Sequence, residues 1–190
     1  MYDLQTDLLG TYQQHNIKTV LAACDLLGNQ GLHLPLDVCL KALGRVKQLT
    51  GLRGRWEWIQ KQPIIIADVG HNAAGIKEVM QQWEQLQADN KYVVTGFVKD
   101  KDISEALSFF SKDSFYYFCN AKLPRALPAT DLATMAQQQG LAGIVCASVA
   151  DAVNAARQKM KKGDALLITG SFFIVGEALE HLNDSVVRQK

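Results

Sequence analysis

The stretch Ile64-Ile65-Ile66-Ala67, running straight into Asp68-Val69-Gly70-His71-Asn72, constrains this chain more than any other. Four consecutive apolar residues read as a strand buried on both faces. The polar turn behind them opens onto a helical pattern, with Ile76, Val79, Met80, Trp83 and Leu86 on one face and Asn72 placed to cap it. A strand of this kind needs parallel neighbours and a helical layer on each side.

The unit recurs down the chain. Strands are expected at Tyr92–Phe97, Phe115–Cys119, Ile144–Ala147 and Ala165–Thr169. Helices are expected over Ile103–Phe110 and Asp131–Gln139, from Val149 until Gly163 stops it, and from about Phe173 to Leu182. Ser148 with Asp151 resembles a capping box. Trp56-Glu57-Trp58-Ile59 alternates and reads as an edge strand, with a turn from Gln60 to Pro63. The predicted class is α/β: a Rossmann-like, mostly parallel sheet of about five parallel strands plus one antiparallel edge, with helices on both faces.

A short helical segment precedes it. Ile17, Val20, Leu21, Cys24 and Leu27 fall at helical spacing, with Gly28 as the stop; Pro35 opens a second helix through Leu36, Cys39, Leu40 and Leu43. Two helices with no sheet to cover make a poor domain. Residues 1–50 therefore pack on the sheet domain or are the tail of something outside this sequence. Residues 51–55 form a glycine-rich hinge, and 56–190 form the sheet domain.

Charge narrows the function. Twenty basic and nineteen acidic residues nearly cancel, which gives no support for a nucleic-acid or membrane partner. No apolar run approaches the ~18 residues of a membrane helix, and no segment reads as a signal peptide. Cys24, Cys39, Cys119 and Cys146 form no C-x-x-C pair and sit in apolar runs. The expectation is a cytoplasmic protein with reduced, buried thiols. A P-loop, a G-x-G-x-x-G after the first strand, a G-x-S-x-G elbow and metal-spaced His/Cys clusters are all missing.

Right-handed crossovers bring the carboxyl ends of the strands to one rim, where ligands of parallel sheets bind. That rim holds Asp68 to Asn72, Val98-Lys99-Asp100-Lys101-Asp102, Asn120 to Arg125, Ser148 and Gly170-Ser171. Asp68 either accepts ribose hydroxyls or closes an Asx-turn. Gly70 allows a close approach or is a turn glycine. His71 either donates to an anion or is structural, and Asn72 suits an N-cap. Arg125 is a carboxylate clamp or an ordinary surface arginine. Ser171, with the amides of the last helix, suits an anion or a cap. The Lys99–Asp102 run reads first as a solvated loop.

Together these residues resemble a known pattern, the C-terminal part of the folylpolyglutamate synthase/dihydrofolate synthase family within the ADP-forming Mur ligases. The family's segments stand here as Gly10-Thr11-Tyr12-Gln13-Gln14-His15-Asn16, Gly54-Arg55, Asp68-Val69-Gly70-His71-Asn72, Gly96 through Asp102, Arg125-Ala126 and Gly170-Ser171. Six weak motifs in the right order cover nearly the whole chain. Val69-Gly70 replaces the usual Gly-Ala, and Ala73 a frequent Pro.

The resemblance implies an ATP-dependent ligase that activates a folate or dihydropteroate carboxylate as an acyl phosphate for attack by L-glutamate. It implies ATP contacts from Asn16 (adenine), Arg55 (phosphate) and Asp68 (ribose), and glutamate contacts from His71, Arg125 and Ser171. No catalytic residue and no metal ligand is implied in this chain. Mg²⁺ and the ATP phosphates belong to an N-terminal P-loop ATPase domain whose last helices would be residues 1–50. The chain alone is then expected to be inactive, with the hinge near Gly51–Gly54 closing the two domains on each other. Within enzymes the alternative is a peptidoglycan-precursor Mur ligase; outside them, a non-catalytic nucleotide- or metabolite-binding module.

Overall fold

The structure is a computed structural model that describes residues 4–99 and 103–187, with side chains to Asp184. It contains two compact units, Met1–Glu57 and Trp58–Lys190.

The first unit holds α1 (Gln13–Asn29), α2 (Leu36–Leu43) and α3 (Val46–Thr50). The two expected helices are present, and a third short one comes after them. Gly28 does not stop α1; the left-handed turn beyond it falls at Gly31, φ 99°. Only Gln13 of α1 is buried. Val20, Leu26, Leu27, Val38 and Leu49 are all exposed. One expectation is corrected here: Cys119 and Cys146 are buried, but Cys24 and Cys39 are half-exposed, because the helices that carry them are not covered.

The second unit is built on a six-stranded sheet in the order β1-β2-β6-β3-β4-β5. Its strands are β1 (Glu57–Lys61), β2 (Ile64–Ala67), β3 (Lys91–Thr95), β4 (Ser114–Phe118), β5 (Gly143–Val145) and β6 (Ala165–Thr169). β2, β6, β3, β4 and β5 run parallel. β1 lies on the outer edge, returned onto β2 by a two-residue turn at Gln62-Pro63, and is the antiparallel edge. The expected fold class is the one observed.

Crossovers place the helices. From β2 to β3, β4 and β5 the chain advances in one direction, so right-handed connections put α4 (Ala73–Gln85), α5 (Ser104–Ser108) and α6 (Ala129–Gln138) on one face. The return from β5 to β6 puts α7 (Val149–Lys159) on the other face, where α8 (Phe172–Val187) packs beside it. α4 starts where its sequence says: Asn72 Oδ1 accepts from the Gly75 amide at 2.7 Å. It buries Ile76, Val79, Met80 and Trp83, each such side chain contributing about 1.5–3 kcal/mol. Ser148 caps α7 as expected, its hydroxyl oxygen accepting from the Asp151 amide at 3.1 Å. α7 ends at Lys159, before Gly163, and packs Val149, Ala152, Val153 and Ala156 fully inward.

β6 therefore lies between β2 and β3 while the helix after it leaves toward the opposite face. The connections diverge there, at the carboxyl ends of these three strands, which is where ligands of parallel sheets bind. Among the described residues, no helix is long and apolar enough to cross a membrane.

Candidate functional site

The carboxyl-end rim is lined by backbone and a few polar side chains. Asp68 extends β2 by one residue, its amide donating to Ile168 O at 3.0 Å, and the residue is 1% exposed. Its Oδ1 accepts from the Gly70 amide at 2.9 Å, which is the Asx-turn geometry. The Gly170 amide donates to Gly70 O at 3.1 Å, so the turns after β2 and β6 are fastened together. Gly170 must be glycine: its φ is 108°, and a Cβ would stand 2.6 Å from both Gly96 O and Thr95 Oγ1. Gly70 is close-packed as well, but against α4, where a Cβ would lie 3.1 Å from Val79 Cγ2.

His71 is half-buried in the same turn. Its Nδ1 lies 3.1 Å from Val69 O. The ring leans on Phe172, centroids 4.8 Å apart. Ser171 is buried and caps α8, its Oγ accepting from the Ile174 amide at 3.2 Å.

Arg125 reaches the site by a different route. The loops after β3 and β4 pair as a short antiparallel bridge, Val98 with Ala126. Lys99 N donates to Arg125 O and Leu127 N to Phe97 O, both at 2.9 Å. This fixes the backbone of Arg125, whose exposed guanidinium lies 5.2 Å from the Phe173 ring. Asp68, His71 and Ser171 thus gather at the ends of β2 and β6, and Arg125 meets the start of α8 through Phe173. Of the expected Lys99–Asp102 loop, residues 100–102 lie outside the described residues.

Asn16 and Arg55 belong to the first unit. Asn16 is exposed on α1, and its Nδ2 donates to Oε1 of the buried Gln13 at 2.9 Å, which orients the amide. Arg55 is half-buried between two residues of positive φ, Gly54 at 68° and Trp56 at 49°.

Several residues of the site escaped the sequence reading. Thr95 and Thr169 sit opposite each other in register at the ends of β3 and β6. Both are fully buried, and neither hydroxyl has a partner. A sealed, unpaired hydroxyl costs about 1–3 kcal/mol. The repeated Thr-Gly closing both strands, Thr95-Gly96 and Thr169-Gly170, is the signal that could have found them. Phe172 and Phe173, half-exposed at the start of α8, are not among the expected site residues, and Phe172 lies just before the expected start of that helix.

The larger cavities lie elsewhere. A cavity of 650 Å³ sits at the amino ends of β3 and β4, among Asn90, Lys91, Tyr92, Lys112, Phe115 and Tyr117. That is the wrong end of a parallel sheet for its ligand crevice. The carboxyl-end rim is an open wall.

A family model for the "Mur ligase, glutamate ligase domain" matches residues 54–172. The chain is 25% identical over 182 residues to the dihydrofolate synthase/folylpolyglutamate synthase of Bacillus subtilis, covering 95% of this chain and 41% of that protein. It is 29% identical over 170 residues to the enzyme of the same description from Escherichia coli, covering 88% and 37%. Among solved structures, E. coli FolC in complex with ADP superposes with a TM-score of 0.80 at 25% identity, covering 98% of this chain and 43% of that one. The chain thus spans less than half the length of these relatives.

Proposed function

Because the chain belongs to the Mur ligase glutamate ligase domain family, we propose that it is the C-terminal portion of an ATP-dependent ligase that joins L-glutamate to a folate or dihydropteroate carboxylate. The observation that carries this reading is the fastened pair of turns after β2 and β6. It puts Asp68, His71 and Ser171 on one wall at the divergence point of the sheet, inside the family match.

The residues divide by chemistry. Asp68, a carboxylate at a strand end, suits ribose hydroxyls, and Arg55 suits phosphate. The side-chain amide of Asn16 both donates and accepts, as an adenine edge requires. His71, Arg125 and the amide-rich start of α8 at Ser171 are the anion-binding groups, assigned to the carboxylates of glutamate. ATP supplies the phosphoryl group that turns the acceptor carboxylate into an acyl phosphate. These residues bind and orient, and the chemistry is assigned to groups beyond them. The Mg²⁺ that accompanies ATP is assigned, on the family resemblance, to ligands in an ATPase domain whose last helices would be residues 1–50. That domain is also the cover proposed for the bare apolar stripe of α1. Closure of the two domains would exclude water from the labile intermediate.

The test is a substrate screen of the complete reading frame with phosphate release as readout. Release that requires ATP, L-glutamate and a pteroate or folate together supports the reading. Release with a UDP-linked peptidoglycan precursor instead assigns the chain to the other branch of the family, and binding without release assigns it to a non-catalytic module.

A further inference from the structure

The sequence is nearly neutral overall, yet residues 41–61 hold six basic side chains (Lys41, Arg45, Lys47, Arg53, Arg55 and Lys61) and one acid, Glu57. That acid is 8% exposed. Its Oε1 accepts from Lys47 Nζ at 2.7 Å and Arg53 Nε at 2.6 Å, and its Oε2 from the Gly54 amide at 2.9 Å. One buried carboxylate therefore ties α3, the hinge and the start of β1 together.

What it encloses is strained. Trp56 has φ 49°, in the left-handed region that non-glycine residues rarely enter, and Gly54 on the other side of Arg55 has φ 68°. A bulky residue held there is strained and persists only where its surroundings over-determine it. The three bonds to Glu57 do this from the residue beside Trp56. Arg55 is the half-buried residue at the centre of the kink they hold.

We propose that Glu57 is a positioning residue: it engages Lys47 of α3 and Arg53 of the hinge and fixes the Gly54–Trp56 kink, and so sets the backbone from which Arg55 meets a polyphosphate. The inference rests on the assignment of Arg55 to phosphate, and the two can fail separately.

The experiment titrates the 190-residue chain with inorganic tripolyphosphate, tracking the fluorescence of Trp56 and Trp58, and times tryptic cleavage after Arg53 and Arg55. Glu57→Gln should weaken binding at least fivefold, approaching Arg55→Ala, and speed cleavage at these sites, with the far-UV circular dichroism unchanged. Glu57→Asp keeps the charge and should recover part of the affinity, which a merely structural loss would not do; it also carries the test if Glu57→Gln unfolds. Wild-type affinity in Glu57→Gln, with Arg55→Ala impaired, overturns the positioning role. Wild-type affinity in Arg55→Ala overturns the phosphate assignment and the inference with it.

Discussion

The amide of Gly170 donates to the carbonyl of Gly70 across 3.1 Å, fastening the turn after β6 to the turn after β2. Asp68 and Ser171 thereby belong to one rigid frame, although a hundred residues of chain separate them. Gly170→Ala should break that frame. Its φ of 108° and a Cβ 2.6 Å from Gly96 O leave no room to relax, and a loss of about 1–3 kcal/mol is expected. Gly176, inside α8 with nothing within 4 Å of its missing Cβ, should behave oppositely. Gly176→Ala should gain about 0.5–1 kcal/mol. Urea midpoints of the two variants check the sign of each.

The unpaired hydroxyls make a second prediction. Valine has the shape of threonine, and neither Thr95 Oγ1 nor Thr169 Oγ1 has a partner to lose. Thr95→Val and Thr169→Val should therefore be neutral or stabilising, by up to about 1–3 kcal/mol each in the absence of ligand. A clear fall in the thermal midpoint of either would show that the hydroxyl is paired in solution.

Glu57 sets a pH dependence. Burial alone would raise its carboxyl, but hydrogen bonds from Lys47 and the Gly54 amide, with the charge of Arg53, outweigh that and hold it below the usual carboxylate value. A depressed carboxyl stabilises the fold fully above its unfolded value, about 4.3. The contribution fades as pH falls from there through the lower folded value. Carbon-13 NMR of the Glu57 carboxyl should give a midpoint below about 4.3, whereas one at or above it contradicts the clasp.

Much of the fold was legible because its signals are local. The apolar run Ile64–Ala67, the Asn72 and Ser148 caps and the inward stripe of α7 each fix an element without help from the rest. Strand order was not legible: nothing near Ala165–Thr169 says that this last strand inserts between β2 and β3, and that insertion sets where the connections diverge. The site was half legible. Asp68, His71 and Ser171 stand just past strand ends, where topology alone makes them suspects. Thr95, Thr169 and the clasp at Glu57 depend on register and on contacts between segments. The half-exposure of Cys24 and Cys39 was missed because apolar neighbours in sequence guarantee burial only when a covering layer exists.

Asp68 carries the nucleotide reading most directly among the rim residues. In the complete protein, Asp68→Ala should raise the apparent KM for ATP at least tenfold, the equivalent of about 1.4 kcal/mol, and lower kcat/KM in step. The KM for glutamate should move less. Steady-state kinetics over varied ATP measure this, and unchanged ATP parameters would remove Asp68 from the nucleotide site.

The central claim is that this chain is one wall of a glutamate ligase. The most direct measurement compares glutamate-dependent phosphate release from ATP by the purified 190-residue chain and by the complete reading frame, with a pteroate or folate acceptor present. The account predicts release by the complete protein that stops when glutamate or acceptor is omitted, and none from the 190 residues alone. Ligation by the 190-residue chain, or a complete protein that releases no phosphate with any glutamate acceptor, would contradict it.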